Sequence, residues 1–246
     1  MVGICAGTPL KLLPTRPRGP AAWVHVTSFG GGLLPGDNLR LRLRVGREAT
    51  LFVGSPAATK IFKSDGRPSR SRMHARIAAG GLLVWGPDPA APFAGSIFAA
   101  RQRIVLDPGA SLAFVDLLAA GRPARGERWA ATRLSSRTVV LRDGAPLVSE
   151  ALALDPTAGD RLASWGCLGT AIIIGPRVAA LAQAVLGEWS HPPDSRAALI
   201  MTASPLAGGA LLRCAGPAVE NVAAVLHGVL ARLARDLGGD PWAHRF

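Results

Sequence analysis

Leu39, Leu41, Leu43 and Val45 alternate with Arg40, Arg42 and Arg44. Successive side chains of a strand point to opposite faces, so this run predicts a strand with one buried and one wet face. Ahead of it, FGGGLLPGD places Gly30, Gly31 and Gly32 and then Pro35, Gly36 and Asp37. Glycine admits positive φ or close backbone approach, and Asp bonds the following backbone in a turn, so a tight loop entering a half-buried strand is expected.

The same pattern recurs. Residues 39 to 53, 73 to 85, 101 to 115 and 137 to 152 each read as strand, turn, strand, with glycine in the turn, and Leu51, Leu83, Leu112 and Leu147 recur at about 30-residue intervals, a spacing that points to stacked structural repeats. Each unit is predicted to be a hairpin, most clearly at Asp143-Gly144. A lone hairpin cannot bury its apolar face, so the units must stack or pair into extended sheets. The stretch KSDGRPSRSR, 63 to 72, is polar, basic and interrupted by Gly and Pro, and is expected to be a mobile loop.

After residue 175 the period changes. Pro176 opens PRVAALAQAVLGEW, a predicted helix that Gly187 should stop. Residues 199 to 214 predict a hairpin around Gly208-Gly209. From Pro217 to Gly238, Val219, Val222, Leu226, Val229, Leu230, Leu233 and Leu237 share one helical face. Periodicity leaves open whether that face packs on the core or meets a partner. The expectation is a mainly β fold of stacked, solenoid-like hairpins and sheets with two helices in the C-terminal half. It forms one domain over 1–246, β-rich to 175 and mixed from 176 to 246.

Composition adds a charge of +12, carried almost wholly by arginine, since Lys11, Lys60 and Lys63 are the lysines. Such a balance favours anionic partners. The absence of tyrosine and of any aromatic RNA-binding motif or Cys/His finger speaks against nucleic acid, so a basic polyanion-binding β protein is the alternative rather than the leading reading. Apolar runs such as LGTAIIIG are too short to span a bilayer, and no secretory signal is read at the N-terminus, so a cytoplasmic location without membrane contact is expected. Cys5, Cys167 and Cys214 are widely spaced and form no zinc or disulfide pattern.

Catalytic motifs are near misses. GSPAATKI lacks the second glycine of a phosphate loop, and Ile61 stands where a Ser or Thr would hold magnesium. GASLA lacks the last glycine of a nucleophile elbow, and Ser190, His191 and Asp194 are merely close in sequence. His25, His74, His191, His227 and His244 form no ligand spacing. Lys60 and Glu127, each among small residues and near glycines, are read as a salt bridge joining two units. Trp242 and Phe246 are candidates for anchoring a partner from an exposed tail. No enzyme is indicated.

Taken in order, GGLLPGDNLRLRLRVG, ATKIFKSDGRP, GSIFAARQRIVLDPGASLAF and GRPARGERWA resemble the urease accessory protein D family (UreD, also called UreH), most specifically over residues 25 to 150. Gly31, Gly32, Gly36 and Asp37 match its GGD-type turn, Thr59 and Lys60 its TK motif, and Gly121, Arg122, Gly126 and Glu127 its GR...GE motif. The resemblance matches Asp116 to a glutamate frequent upstream of the GR motif. It departs at the W-x-P-Q stretch, where Trp85-Gly86-Pro87 is followed by Asp88. It implies a non-catalytic scaffold that binds UreF, through it UreG, and apo-urease, and passes nickel in transit with no tightly bound cofactor. The matched residues would serve as scaffold or passage, and Asp88 would suit a hydrated divalent cation.

Overall fold

In the computed structural model of the chain, residues 3–15, 19–162, 164–194 and 196–243 are described. In chain order the strands of the first half are β1 (Leu10–Thr15), β2 (Ala21–Ser28), β3 (Gly32–Leu33), β4 (Asn38–Val45), β5 (Thr50–Gly54), β6 (Thr59–Ile61), β7 (Ser69–Ile77), β8 (Leu82–Trp85), β9 (Ala90–Pro92), β10 (Ile97–Leu106) and β11 (Ser111–Ala119). Then follow β12 (Arg133–Arg142), β13 (Ala145–Leu154), the single turn α1 (Ala158–Arg161), β14 (Cys167–Ile174), α2 (Ala179–Trp189), β15 (Ile200–Leu206), β16 (Gly209–Gly216), α3 (Val219–Ala231) and α4 (Ala234–Leu237).

The chain is mainly β and winds as a solenoid. Each of three rungs supplies a short strand (β3, β6, β9), a long one (β4, β7, β10) and a medium one (β5, β8, β11), and each pairs in parallel with its equivalent in the next rung. Leu51, Leu83 and Leu112 are register partners across this stack. Leu83 and Leu112 are fully buried, worth about 1.5–3 kcal/mol each.

Three of the four expected hairpins are instead corners. The halves of 39 to 53, 73 to 85 and 101 to 115 enter different sheets, and each corner contains one left-handed residue, Glu48 (φ 54°), Gly80 (φ 70°) or Gly109 (φ 76°). Their backbones bond to the next rung, with Glu48 N–H donating to Ala79 O and Gly80 N–H to Gly109 O, each at 3.2 Å. Stacking satisfies the groups that a hairpin would pair internally. Residues 137 to 152 do form a hairpin, β12 to β13, turning at Asp143 (φ 51°) and Gly144 (φ 78°). Leu147 therefore leaves the leucine register. The β15–β16 hairpin forms as expected.

The long strands make a five-stranded sheet, ordered β13-β12-β10-β7-β4, facing a larger sheet ordered β1-β2-β5-β8-β11-β14-β16-β15 with β3, β6 and β9 attached. One core lies between the sheets and a second between the larger sheet and helices α2 to α4. Strand β11 serves both: Leu112 and Phe114 face the five-stranded sheet, while Ala113, Val115 and Leu117 face the helices. A strand covered on both faces reads as an apolar run, and the one charge in β11 is Asp116.

Four expectations change locally. Helix α2 runs through Gly187 to Trp189 and ends where Ser190 N–H reaches Leu186 O, so that glycine is no stop. The last helix is broken after Ala231 and resumes as α4, which Gly238 ends in the left-handed conformation. Its apolar face packs inward, with Leu226 and Leu230 fully buried. Ser69 to Arg72 belong to β7, and the remaining loop is tied by Arg67 to Asp65 at 2.5 Å. Trp242 is buried, 5.4 Å from the Phe52 ring and stacked on His227 at 4.7 Å, so it is no exposed anchor. His244 and Phe246 lie outside the described residues. Among the described residues no helix is long and apolar enough to cross a membrane.

Candidate functional site

The motifs that are distant in sequence stack along one edge of the solenoid. Gly32 is the register partner of Lys60, and Lys60 of Ala91. Phe62 N–H donates to Leu33 O at 3.0 Å and Phe93 N–H to Ile61 O at 2.9 Å. The rungs approach so closely at Gly32 that a Cβ there would lie 2.6 Å from Lys60 O and 2.6 Å from Phe62 Cε2. Gly31 (φ 71°) turns into this strand with open space where a Cβ would point. Gly36 (φ 89°) follows Pro35 as the third residue of a turn closed by Asp37 N–H to Leu34 O at 3.1 Å, while the Asp37 carboxylate accepts Leu34 N–H at 2.8 Å. Asp37 O then accepts Arg70 N–H at 2.7 Å, which starts β7 beside β4. The rigid turn sets the register of the plain strand behind it.

The GR...GE loop caps the same edge. Gly121 (φ 115°) sits against Pro92, where a Cβ would come within 2.9 Å of the carbonyl oxygen. A short helical turn, Pro123–Arg125, ends at Gly126 (φ 73°) and folds Glu127 back onto Arg122. Glu127 does not pair with Lys60. Its carboxylate accepts from Nε and Nη2 of Arg122 and from Ala94 N–H at 3.2 Å, and Arg122 lies 4.0 Å above the Phe93 ring. Arg122, with the Ala94 N–H, holds the Glu127 carboxyl below the usual range against the opposing effect of burial. Lys60 is exposed.

Between the two sheets runs a cavity of about 520 Å³. Thr59, Asp88 and Asp116 line it; the other matched residues hold the rung edge and do not. Asp88 accepts the Ser55 hydroxyl at 3.1 Å and returns its own N–H to Ser55 Oγ at 2.7 Å, joining successive rungs. Asp116 accepts the Ser136 hydroxyl at 3.3 Å. Enclosure between the sheets pushes the Asp116 carboxyl upward, and the hydrogen bonds from Ser136 and Leu117 N–H recover part of that shift.

Sequence reasoning missed Gln102, Ser136, Thr138 and Glu150, which also line the cavity. Their signal was phase: Gln102 shares the inward face of β10 with Phe98, Ala100, Ile104 and Leu106. Thr138 Oγ1 donates to Gln102 Oε1 at 3.2 Å. Cys214 lines the cavity too, but burial raises its thiol to about 12, so it is neutral and a poor ligand. Among the described residues no group of three or more His, Cys, Asp or Glu is placed to hold a metal ion. Ser190, His191 and Asp194 occupy the exposed segment after α2. The described lining offers oxygen donors spread along the cavity wall rather than a closed coordination shell.

A family model described as UreD urease accessory protein matches residues 6–245. The chain is 47% identical over 245 residues to the urease accessory protein UreD of Sorangium cellulosum, covering 98% of this chain and 78% of that one. It is 41% identical over 248 residues to UreD of Anaeromyxobacter sp., covering 99% and 84%. The urease accessory protein D of Arabidopsis thaliana is 26% identical over 270 residues, covering 96% and 92%. With the GGD, TK and GR...GE motifs stacked on consecutive rungs and the family match spanning residues 6–245, this chain belongs to the UreD family of urease accessory proteins.

Proposed function

We propose that this chain is a non-catalytic scaffold of urease maturation that conducts nickel through the space between its sheets toward apo-urease, while docking UreF and, through it, UreG. The observation that carries the reading is the cavity of about 520 Å³ with Asp88 and Asp116 on its wall. Carboxylate, hydroxyl and amide oxygens hold nickel far less tightly than imidazole or thiolate, which suits release at the far end. Asp116 compensates part of the desolvation of an entering cation, and the flanking hydroxyls can exchange with its water shell. The stacked glycine turns keep the walls apart by backbone geometry and need no bond chemistry of their own.

The test is co-expression with a urease operon lacking its own D component, reading nickel content and urea hydrolysis. Restored activity with a co-purifying UreF-containing complex is expected. A folded chain that restores neither would overturn the reading.

A further inference from the structure

The outer face of the five-stranded sheet carries a charge array that the passage does not use. Arg40, Arg72, Arg101 and Arg137 are consecutive register partners across β4, β7, β10 and β12, so four guanidinium groups start from one row. Neighbouring strands are about 4.8 Å apart. The next row holds Arg42, His74 and Arg103, and the one beyond Arg44 and Arg76. Like charges directly opposite in a sheet repel.

Away from this face Arg67, Arg122, Arg161, Arg177, Arg213 and Arg232 each have a carboxylate within 4 Å. On this face the carboxylate contact among the described residues is Arg76 with Asp107, at the rim. Arg72 meets the Asn38 amide oxygen and Arg103 the His74 ring, neither of which supplies negative charge. The face therefore concentrates positive charge with little carboxylate beside it.

Its other half identifies the kind of group. The arginine rows run into Val105, Val139 and Leu141 on β10 and β12, half-buried side chains at outward positions. No Phe, Trp or Tyr projects from the described outer positions of these strands, and the His74 ring is already engaged by Arg103 at 3.2 Å, so unpaired bases find little stacking platform. A broad sheet face also cannot enter a duplex groove, which admits a helix or a two-stranded ribbon. An aliphatic strip flanked by planar, bidentate donors matches a protein surface that carries carboxylates beside an apolar patch. We propose that the outer face of the five-stranded sheet docks an acidic protein partner, with the Arg40, Arg72, Arg101 and Arg137 row as its charge contact. This surface is separate from the interior passage, so either proposal can fail without the other.

The test compares binding of poly-L-glutamate and of short duplex DNA to the full chain at about 50 mM salt, where phosphate and carboxylate attraction is strong. Three forms are measured: the native chain, Arg72→Ala with Arg101→Ala, and Arg125→Ala with Arg235→Ala, which removes equal charge elsewhere. Arg101→Gln with Arg137→Gln replaces the first pair if it folds poorly. The expected result is tighter binding of polyglutamate than DNA, a loss of about tenfold in the sheet variant and little change in the control. Tighter DNA binding would reassign the face to nucleic acid. Equal losses in both variants, or no polyglutamate binding, would overturn the proposal.

Discussion

Glu127 grips Arg122 through both carboxylate oxygens while Arg122 lies 4.0 Å over the Phe93 ring, so one loop closes on itself and on the neighbouring rung together. The planar guanidinium provides both the paired hydrogen bonds and the stacking, which an ammonium cannot do in one geometry. Arg122→Lys is therefore expected to lower the thermal midpoint by a few degrees despite conserving charge. A midpoint equal to that of the native chain would show the clamp to be dispensable.

The same pair sets an acid limit. Because Arg122 depresses the folded pKa of Glu127, the contribution is present in full above the unfolded glutamate value and is lost as pH falls through the folded one. Unfolding midpoints followed from neutral pH into the acid range should fall less steeply for Glu127→Gln than for the native chain. Parallel curves would contradict this.

Gly32 and Gly31 separate two uses of glycine. A side chain at Gly32 collides with backbone, 2.6 Å from Lys60 O, whereas Gly31 has open space and only its φ of 71° to protect. Gly32→Val should abolish soluble, folded protein, and Gly31→Ala should cost about 1 kcal/mol. A soluble, active Gly32→Val chain would show that the rungs can part there.

Much of this was legible beforehand. The Leu/Arg alternation of β4 and the spacing of Leu51, Leu83 and Leu112 specified strands and a rung length, because side-chain alternation and repeat period are local properties. Corner and hairpin were not distinguishable, since Gly80 and Gly109 permit either and bonds to the next rung decide. Gly187 failed as a stop because α2 gains its stability from packing Leu181 and Val185 on the larger sheet. The pairing of Glu127 was misread because Lys60 and Arg122 are equivalent cations in sequence, and only the Pro123–Arg125 turn selects between them.

Asp116 lines the cavity at a cost in stability. Below the ordinary carboxylate pKa neither folded nor unfolded chain is charged there; above it the unfolded chain ionises freely and the folded one at a cost. Asp116→Asn should therefore raise the thermal midpoint at neutral pH, with the gain vanishing in acid, while lowering nickel loading of urease at limiting nickel. Asp88→Asn, whose amide oxygen can still accept from Ser55, should lower loading without the stability gain. Unchanged activation by both variants across limiting nickel would remove these carboxylates from the route.

Arg213 and Glu150 tie the two sheets across the cavity, β16 to β13, at 2.6 Å. With side chains 48% and 28% exposed, the pair contributes at most about 1 kcal/mol. On the proposed nickel route its larger effect would be on the potential along the wall, where a guanidinium opposes a cation and occupies a carboxylate that would otherwise receive it. Arg213→Ala is expected to leave the unfolding midpoint within a few degrees and to speed urease activation at limiting nickel, whereas Glu150→Gln slows it. Equal activation rates in the native chain and both variants would place nickel on a path that avoids this end of the cavity.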